Sequence, residues 1–212
     1  MKAIVKQSRT VRLCILLALG MLIAHTSFAQ FRLGPSVGFN MSTTVEDGEV
    51  NDIIIGLRAG LTMDIGIAKW FSIVPEVNFS QMGYQLADED YTQTLRLNYI
   101  QVPLNLVFKI GGAHTKFLVF TGAYGAYAIG GNMKNKPEGG DVTKKTLKEL
   151  DLLGTKEGQI NPLDIGINLG LGMEIKSIYF KLQYNAGLNN MSNNKDYPVT
   201  NAGFALSLGY LF

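Results

Sequence analysis

The sequence predicts an all-β chain, an eight-stranded antiparallel transmembrane β-barrel with short periplasmic turns and longer extracellular loops. Three observations predict it. Apolar and small or polar residues alternate with a period of two along much of the chain, which is strand periodicity. The alternation is inside-out: the large face is greasy and the other face carries glycines, amides and charges, the polarity of a wall with lipid on one side and a packed lumen on the other. The connections alternate strictly in length, long then short, as in outer-membrane barrels.

The first 29 residues read as a secretory signal peptide and residues 30–212 as the barrel domain. Lys2, Lys6, Arg9 and Arg12 form a basic start, Leu13 to Ala24 an apolar run, and Ser27-Phe28-Ala29 a small-x-small cleavage site before Gln30. The run is short of the roughly 20 residues that a spanning helix needs. Cys14 is the single cysteine. Cleavage after Ala29 would remove it, leaving no disulfide, thiolate nucleophile or cysteine-bound metal. The four signal cations leave with it, so 15 basic residues face 17 acidic ones, net −2. That balance offers no basic face for nucleic acid.

The elements follow in order. Phe31 to Met41 alternates apolar and polar, with Pro35 expected to cost a ladder hydrogen bond and introduce a bulge or local irregularity. A polar loop, Ser42 to Asp52, leads to Ile53–Ile65, whose inward face carries Arg58 and Asp64. After a tight turn near Ala68, the third strand runs from Trp70 to about Tyr84 with Glu76 inward. Leu86 to Thr94 is the second long loop. Leu95 to Ile110 is the fourth strand, and Leu95, Leu97 and Tyr99 sit on the opposite parity to Ile100 and Val102, so a bulge is expected near Tyr99. A turn near Gly112 follows. Lys116 to Gly131 is a strand with both faces partly apolar, and its inward face is ambiguous.

Asn132 to Asn161 is the longest connection. Within it, Thr143 to Leu153 fits either a short helix, capped by Asp141 or Thr143 and stopped at Gly154, or a mobile loop. Leu147, Leu150 and Leu153 are its candidate partner contacts. Leu163–Ile175 alternates most cleanly, with Asp164 and Glu174 inward. Lys176-Ser177 is a minimal hairpin turn. Ile178–Leu188 carries Lys181 inward, Asn189 to Thr200 is the last loop, and Asn201 to Phe212 is the eighth strand, pairing back to the first.

Eight strands leave an interior just wide enough for side chains. Arg32, Arg58, Asp64, Glu76, Lys109, Asp164, Glu174 and Lys181 point into it, and buried charges must pair. Opposite-charge contacts are expected among Arg58, Glu76, Glu174 and Lys181, giving a structural plug with no continuous pore. Trp70, Phe71, Phe117, Tyr179, Tyr210 and Phe212 are expected to form the periplasmic aromatic girdle, and Phe39, Tyr84, Tyr99 and Tyr127 the outer one.

No catalytic constellation emerges. His25 falls in the signal, and His114 has no serine or carboxylate partner nearby in sequence. Asp88-Glu89-Asp90 lacks the spaced ligands and glycine of a calcium loop. Gly170-Leu171-Gly172 lies within a strand, which excludes a phosphate loop. No enzyme activity, cofactor or metal is expected. A narrow channel, a soluble lipocalin-like carrier and a barrel enzyme are the alternatives; the carrier needs the opposite polarity.

The segments L-N-Y-I-Q-V-P-L (Leu97–Leu104), T-G-A-Y (Thr121–Tyr124), D-I-G-I-N-L-G-L-G-M-E (Asp164–Glu174) and the ending L-G-Y-L-F resemble the PorT-like outer-membrane β-barrel proteins of Bacteroidota over nearly the whole mature chain. Ala123 stands where that family often has proline. The resemblance implies an eight-stranded outer-membrane barrel, no known catalytic residues, and a namesake that serves protein secretion. The expected partners are outer-membrane lipid, the barrel-assembly machinery through the C-terminal strand, and envelope or secretion proteins.

Overall fold

The computed structural model describes residues 30–46, 49–88, 91–137, 139–156, 158–193 and 198–212. The expected signal peptide, and Glu89 and Asp90 of the acidic triplet, lie outside the described residues. The strands are β1 (Gln30–Glu46), β2 (Glu49–Val50), β3 (Asp52–Ala68), β4 (Phe71–Ala87), β5 (Tyr91–Gly111), β6 (Thr115–Pro137), β7 (Thr143–Thr146), β8 (Leu163–Ile175), β9 (Ile178–Gly187) and β10 (Val199–Tyr210). Eight of them form the wall, in the order β10-β9-β8-β6-β5-β4-β3-β1, and β10 pairs with β1 to close it. Every neighbouring pair in the wall is antiparallel. Closure gives every wall strand a neighbour on each side, a requirement where no water can satisfy the backbone.

The polarity is inside-out. Leu169 is 60% exposed and Leu206 51%, while Arg58 is 3% exposed and Lys181 6%. Glycines on the inner face make room for rings from neighbouring strands. An added Cβ at Gly166 would strike the Tyr124 ring at 2.5 Å, one at Gly170 the Phe120 ring at 2.2 Å, and one at Gly209 the Tyr179 ring at 2.2 Å. The inward face of β6 is thereby decided: Leu118, Phe120 and Tyr124 fill the lumen, and Phe117 faces outward.

Several expectations change. The wall strands beside the long loops run farther than their apolar patterns. β5 spans 21 residues and β6 spans 23, so both project beyond a membrane-length stretch of roughly 9–11 residues. Pro35 makes no bulge; it pairs with Leu61 in continuous register and stands one residue before the recorded pairing with β10 begins at Ser36. Its missing N–H thus falls at a ladder end. Leu95, Leu97 and Tyr99 do not shift parity through a bulge in β5. They are buried on the same inner face as Gln101 and Asn105, because the lumen is apolar at this end. The irregularity lies in the partner strand, where Asn98 pairs with Gly130 and Tyr99 with Ala128, leaving Ile129 extra. Tyr99 and Tyr179 leave the expected girdles for the lumen and Tyr84 packs against the interior apolar cluster; Trp70, Phe117, Tyr210 and Phe212 are exposed near the short-turn end, whereas Phe39 and Tyr127 are exposed at mid-strand positions. Trp70 stacks 6.1 Å from Phe108, which joins the girdle at the turn end.

Residues 143–153 form neither a helix nor a free loop. Thr143–Thr146 pairs with Asn132–Asn135 of β6. That pairing covers a β6 edge that β8, whose register ends at Tyr127, does not reach. A single turn follows. Glu149 N donates to Thr146 Oγ1 (3.2 Å) and Thr146 N to Glu149 Oε2 (3.0 Å), the reciprocal contacts of a capping box. One turn is too short to propagate as a helix.

Candidate functional site

The lumen holds two charge clusters separated by an apolar layer. At the short-turn end, Arg32 from β1 grips Glu174 of β8 through both carboxylate oxygens, at 2.9 and 2.8 Å, and also contacts Asp64 of β3. Lys109 Nζ donates to Asp64 at 2.7 and 3.0 Å, and Lys116 Nζ to Glu174 at 3.0 Å. This cluster opens on a cavity of about 300 Å³ lined by Arg32, Asp64, Lys69, Lys109 and Lys116. Val74, Val107, Leu118 and Phe120 form the layer above it.

The second cluster is fully enclosed. Glu76 of β4 contacts Lys181 of β9, which stands diametrically opposite in the ring: four pairings separate the two strands in either direction. Arg58 Nη2 lies 3.7 Å from Glu76 Oε2. Asn105 Nδ2 donates to Glu76 Oε1 (3.1 Å) and Asn78 Nδ2 to Oε2 (3.2 Å). Arg58 Nη1 donates to Gln101 Oε1 at 2.7 Å. The Lys181 ammonium also sits 5.3 Å from the Tyr179 ring centroid and 5.7 Å from that of Phe120. Tyr179 Oη donates to Thr62 Oγ1 at 2.6 Å, tying β9 to β3 across the interior.

Of the pairing expected among Arg58, Glu76, Glu174 and Lys181, three residues meet around Glu76. Glu174 instead joins Arg32, Asp64, Lys109 and Lys116 one layer away. Asp164 stands apart from both clusters, bonded to Asn201 Nδ2 (2.9 Å) and Tyr124 Oη (3.3 Å). Sequence parity places each of these side chains inward, but it carries no information on which layer each occupies. Lys116 is the residue the pattern missed: it sits beside a turn, where alternation begins, and its pairing of Lys116 with Glu174 across β6 and β8 supplies the register.

The long-loop end is closed by apolar side chains. Met82, Leu95, Leu97, Tyr99, Tyr124, Ala126, Ala128, Leu147 and Met191 form one buried cluster, with Met133, Leu152, Leu153 and Ile160 packed on it. Leu147 is 0% exposed, and Leu150 and Leu153 are half-buried. Of the three expected contact residues, Leu147 is therefore a stopper over the lumen, held there because the β7 pairing turns it inward. The outward surface of this region consists of polar β6 and β7 residues instead. Beside them a groove of about 420 Å³ is lined by Tyr91, Gln93, Met133, Asn135, Thr143, Lys145 and Leu150.

The chain is similar, at low identity, to several solved outer-membrane proteins. Ail, the attachment invasion locus protein of Yersinia pestis, is 16% identical over 86% of this chain and 99% of its own, with a TM-score of 0.44. Neisserial surface protein A is 9% identical over 86% of this chain and 97% of its own, TM-score 0.44. The N-terminal barrel of Pseudomonas aeruginosa OprF is 13% identical over 84% and 97%, TM-score 0.35. Among curated proteins, none matches the chain. The family model of the outer membrane protein beta-barrel domain matches residues 24–193; the chain belongs to that family and is a β-barrel of the outer membrane.

Proposed function

We propose that this barrel is a non-conducting outer-membrane scaffold that works through its extracellular face, in secretion or envelope assembly. The observation that carries this reading is the Glu76–Lys181 contact between opposite strands, buried within a closed ring of side chains. A lumen bolted in this way, and stoppered by Leu147 and its neighbours, supports no path for solute. What remains available to partners is the rim. There the long β5 and β6 strands and the paired β7 form a hydrogen-bonded platform. The resemblance of Leu97–Leu104 and Asp164–Glu174 to PorT-like barrels supports the secretion or envelope part of the proposal. Leu150 and Leu153, half-buried at the platform, are its apolar contact candidates.

Two measurements test it. Purified barrel in planar bilayers should show no conductance above empty-membrane background; steady unitary currents would establish the narrow-channel reading instead. In-cell photo-crosslinking from positions 144 and 148, both exposed on the platform, should capture a discrete envelope protein. Absence of any adduct from either position, with the barrel correctly inserted, would refute a platform role.

A further inference from the structure

The outer surface of the barrel changes character on one side of the long-loop end. Up β6, Tyr127 and Ile129 are exposed on the lipid face. The irregularity at Ile129 resets the alternation. Above it, Gly131 and Met133 pair with the buried Leu97 and Leu95 and face inward, so Asn132, Lys134 and Lys136 face outward. β7 extends the same face, because Lys144 pairs with Lys134. On β5, Arg96 pairs with Asn132, and its Nη1 donates to the Ile55 carbonyl at 2.9 Å. That bond lays the guanidinium along the outside of the wall, across β4. Lys134, Lys136 and Lys144 are exposed. Among the described residues, none of these cations is in an ion pair. No carboxylate shares their face either: the other outward residues of β4 to β7 at this height are amides, threonines, glycine and alanine.

Like charges directly opposite each other weaken a strand pair. The Lys134–Lys144 pair therefore docks β7 better when an anion bridges the two ammoniums. Lys134 lies five residues beyond Ile129, about 12 Å higher on a strand tilted by about 45°. Lysine stems reach back toward the interface, so the ammoniums fall at the level of lipid headgroups, directly above the apolar wall. Long connections of outer-membrane barrels lie outside, which puts this level in the outer leaflet. We propose that Arg96, Lys134, Lys136 and Lys144 bind the phosphates of a polyanionic lipid headgroup in the outer leaflet, with its acyl chains along Ile100, Tyr127 and Ile129. Continuity of the cations with that exposed apolar row selects a lipid over a soluble anion. The site is separate from the protein contact proposed for the platform and does not depend on it.

The test titrates the full barrel, refolded in zwitterionic detergent, with diphosphoryl lipid A, dephosphorylated lipid A and inorganic pyrophosphate, and reads bound lipid by native mass spectrometry. Each cation near an anionic lipid surface is worth a factor of about five, so Arg96→Gln, Lys134→Gln and Lys144→Gln combined should weaken diphosphoryl lipid A roughly 100-fold. Removing the lipid phosphates should weaken binding to wild type similarly. Lys69→Gln with Lys176→Gln, exposed at the short-turn end, should change nothing. Bound diphosphoryl lipid A should also slow hydrogen exchange in residues 143–146. Equal affinity for the two lipids, or a triple variant that binds like wild type, would overturn the proposal. Pyrophosphate binding as tightly as the lipid would make this a soluble-anion site and overturn the lipid assignment. In cells, photo-crosslinking from position 136 should label lipid; adducts to protein alone would assign the patch to a protein partner instead. If the triple variant does not insert, Lys134→Gln and Lys144→Gln decide singly, each expected to weaken binding about fivefold; no change in either would reject the site.

Discussion

Replacing Glu76 with glutamine tests the enclosed charge cluster. The substitution preserves volume and keeps a carbonyl acceptor for Asn78 or Asn105, but removes the charge facing Arg58 and Lys181. Both cations are almost fully buried. Breaking a buried pair so that charge is left uncompensated costs about 3–5 kcal/mol, which lowers the folding constant by a factor of roughly 10² to 4 × 10³. Glu174→Gln is the control. Its partners Arg32 and Lys116 keep 19% and 25% of their side chains exposed and border the open cavity. Pairs that wet contribute up to about 1 kcal/mol each, so the control loses about 1–2 kcal/mol. Glu76→Gln combined with Lys181→Met removes one stranded cation along with the anion, and should recover about 2 kcal/mol of the loss. Urea titrations in lipid vesicles would read this through the single tryptophan, Trp70, at the short-turn rim, alongside the gel mobility of unboiled barrel. A Glu76→Gln barrel within about 0.5 kcal/mol of wild type, or no more destabilised than Glu174→Gln, would refute the claim that the central cluster is dry.

Other consequences are equally direct. Leu169→Arg places a cation on the lipid face and should cost about 2–4 kcal/mol if that position lies near the bilayer midplane, against about 0–1 kcal/mol for Ile110→Arg beside a short turn, measured in the same vesicle titrations. Gly170→Ala drives a methyl to within 2.2 Å of the Phe120 ring and 2.6 Å of the Leu182 carbonyl oxygen; overpacking should destabilise by about 1–3 kcal/mol. Leu147→Ala removes the stopper over the lumen and should cost about 2–5 kcal/mol locally. Hydrogen exchange should then speed up in residues 143–153 while the wall strands below Tyr127 stay protected.

Strand count and inside-out polarity were legible because a membrane wall imposes them residue by residue. Along β8, Ile165, Ile167, Leu169 and Leu171 must meet lipid, so every second position is constrained whatever the neighbours are. The same local rule placed Arg58, Glu76 and Lys181 inside. It fails where the interior is not polar: Leu95, Leu97 and Tyr99 read as a parity break, although they obey alternation and enter an apolar stopper. It also fails at the long-loop ends, where polar residues serve strand and loop equally well, so β5 and β6 outrun their patterns. Thr143–Thr146 has no strand signature of its own; it becomes β7 because β6 leaves an edge uncovered. Pairing of Arg58 and Lys181 with Glu76 was expected, but the layer each charge occupies, and so the partners of Glu174 and Asp164, was beyond the sequence for the same reason. Parity fixes the face of a side chain, but height in the lumen depends on the register and shear of all eight strands, so only the closed ring brings Lys181 to Glu76, joins Arg32 to Glu174, and, among the described residues, leaves Asp164 without a Lys or Arg partner.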